Sequence, residues 1–488
     1  MMNLTALLTR SVRRTLVATI LALLAAGILG ADLRAAEKRP NFVIFLADDL
    51  GYGDVSWHGS VYKMPNLDQL AQTGIRLESH YVFPMCSPTR AAILSGRYAS
   101  RFGCTAAQNE RVYRFGQVTL PSALKEAGYD TCLVGKWHLG SKLEWGPNLF
   151  GFDHSYGHLA GGVTPYGHRY KEGPYTYTWH RDDKLVEEQG HVTDLFAREA
   201  VQFIQSRTEK PFFLYFAFSA VHIPIDEPQQ WLDANAGIAD AAKRLHAACA
   251  THMDDAVGQV LTALDRKKLR ENTLVVFLSD NGAHRLTRND DPKYPGTHPH
   301  LQIGGSNAPW RGWKTELYEG GVRTPGIVSW PGRLKPGRID LPLHVTDWMP
   351  TLTGLAGWKP RADLRWDGQD IWPIITGQQS SPGPRTMYWL GVGRRSSAVR
   401  HGDWKLISFQ DGKKELYDLA ADPGETKNLA AQEPQRVAAL EKLMAQEAAR
   451  DNDAAVAEEL KASQPEAAAS AKAKGKKAKK EKRSAGDE

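Results

Sequence analysis

Continuous apolar runs that alternate with amphipathic segments constrain this chain more than any other feature. Residues 41–47 read Asn-Phe-Val-Ile-Phe-Leu-Ala and residues 273–279 read Thr-Leu-Val-Val-Phe-Leu-Ser, with no charged residue in either run. Strands that are covered on both faces carry such runs, and parallel sheets are built from strands of this kind. Two further strands are predicted at 130–134 and 211–219. The chain therefore predicts an α/β fold around a largely parallel sheet.

Helical segments stand between these strands, and a different pattern follows them. Near residue 385 the chain changes to short strands separated by turns, and an alanine-rich, charged helix follows. This indicates a small α+β domain with an antiparallel sheet at 385–462, after a main domain at 37–384. The predicted helices are 67–77 (capped by Asn66), 120–127, 193–207, 254–269 and 433–450, and the late strands are 387–390, 397–400 and 404–409.

The two ends of the chain differ from the body. Arg10, Arg13 and Arg14 precede an apolar stretch at 16–30 that is followed by small residues, which is typical of a secretory signal, here 1–36. The apolar stretch is short for a spanning helix, although an uncleaved anchor is the alternative. Residues 463–488 are rich in Ala, Lys and Gly and predict a disordered tail. We expect an exported protein, periplasmic or secreted, without stable membrane insertion.

The net positive charge of the chain comes from these two ends. The net charge is +6, but the tail carries eight Lys or Arg against four Asp or Glu, and the leader carries four Arg against one Asp. The body is therefore close to neutral, and we expect no nucleic acid as a partner, although the tail could contact an anionic polymer weakly. Four cysteines are too few for a disulfide framework in a body of this size, although one bridge is possible.

The segment Cys86-Ser87-Pro88-Thr89-Arg90 indicates chemistry on an anion. Pro88 suits the first turn of a helix, so Cys86 falls at a helix N-terminus, where unpaired N–H groups favour anions. Arg90 follows four residues later on the same helical face. A nucleophile precursor beside a guanidinium favours a sulfate or phosphate ester. The alternative is a buried cysteine that acts only as a small hydrophobic residue.

Polar residues follow four of the predicted strands. Ligands bind at the carboxyl edge of an open α/β sheet, so these residues are candidates for a common site. Each has a structural alternative, since Asp and Asn are common in turns and a lone His is more often structural. The candidates are Asp48 and Asp49 after 41–47, Lys136 and His138 after 130–134, His222 after 211–219, and Asp280 and Asn281 after 273–279.

The residue types separate into two groups. The carboxylates and the Asn281 amide are oxygen ligands that suit Ca²⁺ or Mg²⁺ rather than Zn²⁺. The cationic side chains suit the oxygens of a tetrahedral dianion. They are Arg90, Lys136 and Lys314, with His138 and His222, although Lys314 could instead be an exposed loop lysine.

The chain resembles the formylglycine-dependent (type I) sulfatase family. Residues 86–96 resemble the first family signature and residues 128–138 the second, except that Ser95 stands where many members have Thr. The likeness runs from about Arg39 to Leu429. It includes Asp48-Asp49-Leu50-Gly51, Ser279-Asp280-Asn281-Gly282, Glu319-Gly320-Gly321-Val322-Arg323 and Glu415-Leu416-Tyr417-Asp418-Leu419.

The resemblance implies a fold, a modified residue and a set of roles. The fold is alkaline-phosphatase-like, a large mixed sheet flanked by helices. A formylglycine-generating enzyme oxidises Cys86 to formylglycine (3-oxoalanine), whose hydrate attacks sulfur. One Ca²⁺ per chain is held by Asp48, Asp49, Asp280, Asn281 and residue 86. Arg90 stabilises the hydrate, Lys136 and Lys314 bind sulfate oxygens, His138 takes a proton during elimination, and His222 protonates the leaving oxygen.

Within the family, the chain most resembles the arylsulfatase B (N-acetylgalactosamine-4-sulfatase) branch, through residues 151–153 and 313–321. Loops 157–181 and 284–307 are rich in Tyr, His and basic residues, which suits contact with an anionic sugar. We expect a sulfated saccharide, or an aryl sulfate ester, as substrate. The alternatives are a phosphonate or phosphate ester hydrolase with the same fold, and a non-catalytic saccharide-binding relative.

Overall fold

The computed structural model describes residues 38–380 and 382–456. The predicted signal at 1–36, the tail at 463–488 and the last residues of the proposed small domain lie outside this range. The helices are α1 (Pro65–Thr73), α2 (Cys86–Ser95), α3 (Leu120–Glu126), α4 (Val192–Gln205), α5 (Gln229–Ala234), α6 (Ala241–Arg266), α7 (Glu319–Val322), α8 (Trp348–Leu355), α9 (Trp372–Ile375) and α10 (Pro434–Ala448). The strands are β1 (Asn41–Ala47), β2 (Ile75–Leu77), β3 (His80–Tyr81), β4 (Asp130–Lys136), β5 (His154–His158), β6 (Trp179–Arg181), β7 (Lys184–Leu185), β8 (Phe212–Ala217), β9 (Thr273–Ser279), β10 (Thr287–Arg288), β11 (Gln302–Ile303), β12 (Arg323–Thr324), β13 (Gly326–Ser329), β14 (Gly337–Ile339), β15 (Leu343–His344), β16 (Thr386–Leu390), β17 (Ser396–His401), β18 (Trp404–Phe409) and β19 (Lys414–Asp418).

Ten of these strands form one large sheet in the order β14-β2-β13-β9-β1-β8-β4-β5-β6-β7. The five central strands, from β9 to β5, are parallel. Antiparallel pairing begins at β13 on one side and at β6 on the other. The late strands β16 to β19 form a separate antiparallel sheet. The predicted α/β fold, with a large mixed sheet and a separate small antiparallel sheet, is confirmed.

The central strands are buried because helices cover both faces of the sheet. In β1, Phe42, Ile44 and Leu46 pack into one core, and Val43 and Phe45 pack into the other. The first core includes residues of α2, α3, α8 and the small sheet, whereas the second includes residues of α1, α4 and α6. This two-sided burial accounts for the continuous apolar runs in the sequence.

Two predicted helices have different bounds in the structure. The predicted helix 67–77 is wrong beyond Thr73, because Gly74 ends α1 and residues 75–77 form the strand β2. The Asn66 side chain does not cap α1 but donates to Asp254 Oδ2 in α6 at 2.9 Å. The long helix α6 begins at Ala241 rather than 254, since Asp240 caps it by accepting from Lys243 N at 2.7 Å.

The small sheet is joined to the rest of the fold by a buried charged cluster. Lys405 Nζ on β18 lies 2.9 Å from Glu319 Oε1 in α7 and 2.9 Å from Glu425 Oε1. All three side chains are buried, and the Glu319 backbone N–H donates to Glu425 Oε2 at 2.6 Å. The boundary that we propose near residue 385 therefore lies inside a continuous packed structure.

Candidate active site

The carboxyl ends of the central parallel strands bring the predicted residues together. Asp48 and Asp49 follow β1 directly, and Asp280 and Asn281 follow β9. Since β1 and β9 are neighbours in register, with Ala47 opposite Ser279, the two pairs of side chains meet. Lys136 is the last residue of β4, two strands away. The site therefore stands at the edge where open α/β sheets bind ligands.

Four oxygen-bearing side chains form a buried cluster there. The Asp49 backbone N–H donates to Asp280 Oδ1 at 3.2 Å, and Asn281 Nδ2 donates to Asp49 Oδ1 at 2.7 Å. Asp48 completes the cluster, and all four residues are buried. Asp49 has a positive φ of 65°, a conformation that Asp tolerates better than most residues and that turns the chain sharply after β1.

The cluster fits a hard divalent cation. Among the residues that the structure describes, Asp48 Oδ1 and Asn281 Oδ1 are buried without a hydrogen-bond partner. A buried oxygen left in this state costs about 1–3 kcal/mol, which a bound cation would offset. Carboxylate and amide oxygens are the ligands that Ca²⁺ prefers. The donor set therefore suits Ca²⁺.

Cys86 lies against this cluster. It is the first residue of α2, as the sequence predicts, and it is 2 % exposed. Its sulfur and carboxylate oxygens of Asp48 and Asp280 lie within 4.8 Å of one another. Burial raises the pKa of the Cys86 thiol, against the opposing effect of the nearby lysines. The thiol is therefore protonated at neutral pH and is a weak nucleophile in this form.

Arg90 holds Asp280 of the oxygen cluster in place. Its Nε and Nη2 donate to Asp280 Oδ2 at 3.0 and 2.7 Å, and its Nη1 donates to the Lys136 carbonyl at 3.0 Å. The side chain is fully buried. Arg90 thus connects the Cys86 helix to the ends of β4 and β9, and it fixes the orientation of Asp280.

The two lysines each pair with one carboxylate of the cluster. Lys136 Nζ donates to Asp48 Oδ2 at 2.6 Å, and Lys314 Nζ donates to Asp49 Oδ2 at 2.8 Å. Burial raises the pKa of Asp48 to about 7 despite Lys136. Burial also opposes the charge on Asp49, but Lys314, His222 and His284 together outweigh it and lower the pKa of Asp49.

Lys314 is not an exposed loop lysine. Its backbone N–H donates to the Ala283 carbonyl at 3.0 Å, and the next residue, Thr315, donates to the Pro84 carbonyl at 2.7 Å. These contacts anchor its loop both to the segment after β9 and to the turn before Cys86. The Lys314 side chain is only 11 % exposed.

Two histidines complete the predicted set. His138 is buried, and Gly161 passes so close that a Cβ there would lie 2.6 Å from His138 Nε2, so the loop requires glycine. His222 Nδ1 lies 2.5 Å from the Ile223 carbonyl, and its Nε2 lies 3.8 Å from Asp49 Oδ2. Burial lowers the pKa of both imidazoles well below the usual value; Lys136 adds to the effect on both, and Asp49 opposes it at His222. Both rings are therefore neutral when no anion is bound beside them.

The sequence analysis assigned no role to His284, although it lies as close to Asp49 as His222 does. His284 Nε2 is 3.8 Å from Asp49 Oδ2, which is also the distance from His222 Nε2. Its Nδ1 lies 2.7 Å from the Arg285 carbonyl. The signal in the sequence is its position, three residues after Asn281 and at the start of the predicted substrate loop.

The two loops predicted to face the substrate contact each other beside His222. Glu172 N donates to the Lys293 carbonyl at 2.8 Å, and Lys171 Nζ lies 3.1 Å from Asp291 Oδ2. A Cβ on Gly162 would lie 2.8 Å from the Tyr294 hydroxyl and 3.6 Å from His222 Nδ1. The junction of the two loops therefore lies next to His222.

All four cysteines are buried and unbridged, so the single disulfide left open by the sequence is absent from these described residues. In the described ranges, up to residue 456, no helix has the length and apolarity needed to cross a membrane.

Comparisons with known proteins identify a family pattern along most of the chain. The sulfatase family model matches residues 40–358, and the model for the C-terminal part of N-sulphoglucosamine sulphohydrolase matches residues 311–452. Arylsulfatase J of Mus musculus is 32 % identical over 408 residues, which cover 78 % of this chain and 66 % of that protein. N-acetylgalactosamine-6-sulfatase of Mus musculus is 33 % identical over 413 residues, 79 % of this chain and 74 % of the relative.

A solved structure has the same architecture. The crystal structure of Ps i-CgsB in complex with k-i-k-neocarrahexaose superposes with a TM-score of 0.76 at 28 % identity. The match covers 85 % of this chain and 93 % of the other.

Proposed function

The chain belongs to the sulfatase family of sulfuric ester hydrolases, and from that premise we propose that it hydrolyses the sulfate monoester of a sulfated saccharide at Cys86, using formylglycine and Ca²⁺. One observation carries this proposal: a buried oxygen cluster and a group of basic side chains meet beside Cys86, where Lys136 and Lys314 contact Asp48 and Asp49 directly. The two groups suit, respectively, a cation and the oxygens of a sulfate ester.

Two groups that the chain does not encode supply part of the chemistry. Asp48, Asp49, Asp280 and Asn281 would hold Ca²⁺ with residue 86, and the ion supplies positive charge next to the reacting oxygens. The formylglycine form of residue 86 supplies a hydrated aldehyde as nucleophile, which the protonated thiol does not provide. Maturation then requires a formylglycine-generating enzyme as partner.

The lysines bind and orient the sulfate group. Lys136 and Lys314 are each held by one carboxylate, so their ammonium groups are fixed before substrate arrives. Fixed donors of this kind stabilise charge that develops on sulfate oxygens without having to reorganise.

The histidines move protons. His138 remains neutral because it is buried beside Lys136 and Arg90, and a neutral imidazole can accept a proton when sulfate is eliminated. His222 must donate a proton to the leaving oxygen. A bound sulfate ester adds negative charge beside the ring, which offsets burial and favours the imidazolium. Its Nδ1 is occupied by the Ile223 carbonyl, so Nε2 is the atom that delivers the proton.

The identity of the leaving group tests the role of His222. In His222→Gln, we expect turnover of a sulfated sugar to fall by about 10²–10⁴-fold, because an alkoxide leaves poorly without a proton. An activated aryl sulfate should lose much less, since its phenolate needs no proton. Steady-state rates on both substrates check this, and equal losses on the two would exclude the general-acid role.

Metal removal tests the oxygen cluster. After chelation we expect activity to fall by at least about 10²-fold and to return with Ca²⁺, since a metal supplies several kcal/mol of charge stabilisation. Independently of activity, calorimetry should show one Ca²⁺ per chain and no binding in Asp280→Asn. The surface variant Asp363→Asn is the matched control, because its side chain is 80 % exposed. Unchanged Ca²⁺ binding in Asp280→Asn would contradict the assignment.

The substrate class is tested by sulfate release from a panel of sulfated saccharides. The names N-acetylgalactosamine-6-sulfatase and k-i-k-neocarrahexaose support the choice of amino-sugar and polysaccharide substrates for this panel. We expect sulfated saccharides and aryl sulfates to be hydrolysed far faster than the matching aryl phosphonate. A strong preference for the phosphonate would support the phosphonate or phosphate ester hydrolase instead, and no hydrolysis by fully matured protein would support the saccharide-binding relative.

We also propose that the chain belongs to the arylsulfatase B branch and that it is exported to the periplasm or the exterior. The boundaries of the signal (1–36), the main domain (37–384), the small domain (385–462) and the tail (463–488) are part of the same proposal.

A further inference from the structure

A second cluster of possible metal ligands lies outside the sulfate site. His191 is the residue before α4, Glu227 lies in the segment that leads from β8 to α5, and His252 lies in α6. They are 3 %, 7 % and 1 % exposed. One ligand atom from each, two imidazole nitrogens and a carboxylate oxygen, lies within 4.8 Å of the others.

The three side chains approach one another as the ligands of a metal site would do without the ion. His252 Nδ1 lies 2.7 Å from Glu227 Oε2, and His191 Nε2 lies 3.7 Å from Glu227 Oε1. The second distance is too long for a hydrogen bond, and within the described residues His191 Nε2 is buried without a partner. An unpaired imidazole nitrogen that points at a buried carboxylate is unfavourable unless something binds between them.

The outer contacts of His252 are those of a metal ligand. Its other ring nitrogen, Nε2, lies 3.0 Å from Asp194 Oδ1. Metal-binding histidines commonly donate their second N–H to a carboxylate, which fixes the tautomer and orients the ring. The His252 ring also stacks with the rings of His191 and Trp231, at centroid distances of 4.6 and 4.9 Å.

We propose that His191, Glu227 and His252 form a second metal site, which binds Zn²⁺ or a similar transition-metal ion. Two imidazoles and one carboxylate are a ligand set that Zn²⁺ accepts, and nitrogen donors favour it over Ca²⁺. Cys249 is buried one turn before His252 in the same helix, so a soft donor is also nearby. The burial of all three ligands assigns the site a structural role.

Zn²⁺ binding requires one hydrogen bond to be broken. His191 Nδ1 accepts from the Thr193 N–H at 3.2 Å, and coordination through Nε2 puts the ring proton on Nδ1. This contact is the longest hydrogen bond in the cluster, and a single helix-capping bond is weak compared with the bonds of a closed Zn²⁺ site.

Such an ion would hold together three separate parts of the structure. Glu227 is five residues after His222, in the same segment between β8 and α5, whereas His191 caps α4 and His252 lies in α6. Zn²⁺ binding would therefore fix the far end of the segment that carries His222, without taking part in the reaction itself.

The test uses full-length Cys86→Ala protein, which removes the thiol at the first site. The protein is stripped of metal, saturated with Ca²⁺ to fill the oxygen cluster, and titrated with Zn²⁺ by calorimetry. We expect one Zn²⁺ per chain and a higher unfolding midpoint. Binding should be lost in His191→Gln and His252→Gln. The matched control is His246→Gln, another buried histidine of α6, whose Nδ1 contacts the Tyr62 hydroxyl instead.

Asp194→Asn keeps the test informative if the buried variants do not fold. The Asp194 side chain is 56 % exposed, so the substitution should leave folding intact. Loss of an outer carboxylate should weaken Zn²⁺ binding by about 10–100-fold. Absence of Zn²⁺ binding in the Ca²⁺-saturated protein, or equal binding in all of these variants, would overturn the proposal and leave His252 as an imidazolium between two carboxylates. Because no readout involves sulfate release, failure here is independent of the proposed function.

Discussion

Replacement of Cys86 by Ala is expected to abolish sulfate release while the fold remains intact. The loss should be at least about 10⁴-fold, as when the nucleophile of a hydrolase is removed. The side chains around residue 86 provide no substitute, because Asp48 and Asp280 are ionisable ligands paired with Lys136 and Arg90. Folding should change little, since alanine favours the helix that begins at this position.

Two measurements separate this result from a packing defect. Circular dichroism should match that of the parent, Ca²⁺ should still bind through Asp48, Asp49, Asp280 and Asn281, and Cys104→Ala, at a buried cysteine of another segment, should retain activity. Mass spectrometry of the matured parent should find an aldehyde at residue 86. Substantial turnover by Cys86→Ala, or an active parent with an unmodified thiol there, would contradict the formylglycine mechanism.

Two of the five central strands, β1 and β9, could be predicted to the residue because burial changes abruptly at their ends, whereas the predicted strands 130–134 and 211–219 differ in bounds from β4 (Asp130–Lys136) and β8 (Phe212–Ala217). β1 and β9 have the bounds that the sequence predicts, since Asp48 and Asp280 end each apolar run where the chain leaves the sheet. The rule that sites form at this edge then brings Asp48, Asp49, Asp280 and Asn281 together without any further information.

Features that depend on distant pairing could not be predicted in this way. Ile75 and Leu77 continue the apolar pattern of α1, but residues 75–77 pair with β13, more than two hundred residues later. The local hydrophobic periodicity does not indicate such a distant strand partner. The antiparallel strands at both sides of the large sheet were missed for the same reason.

The contacts of site residues that lie on loops could not be predicted from the local sequence pattern either. Lys314 reaches Asp49 because the Thr315 N–H is hydrogen-bonded to the carbonyl of Pro84, two residues before Cys86, and the local sequence pattern does not indicate this contact. The His191, Glu227 and His252 cluster is assembled from three separate segments, each of which reads as an ordinary helix or loop. Residues that directly follow a buried strand can therefore be placed from sequence, whereas those that arrive from elsewhere require the structure.

Replacement of Lys136 by Met is expected to reduce kcat/KM by about 10³-fold, the usual scale for loss of a fixed donor to a developing charge. The variant loses the ammonium group that binds a sulfate oxygen, and it also leaves the Asp48 carboxylate without its cation at 2.6 Å. Burial already raises the pKa of Asp48 to about 7, and removal of Lys136 raises it further, which makes the carboxyl a poorer metal ligand.

The two effects can be measured separately. Calorimetry should show weaker Ca²⁺ binding, and kinetics at saturating Ca²⁺ should still show the deficit that comes from the missing sulfate contact. Lys125→Met is the matched control, because Lys125 makes an ion pair of the same length with Asp153 but is 54 % exposed, so its loss should be almost neutral. If Lys136→Met stays within about tenfold of the parent at saturating Ca²⁺, Lys136 only supports Asp48, and Lys314 and the histidines must bind the sulfate without it.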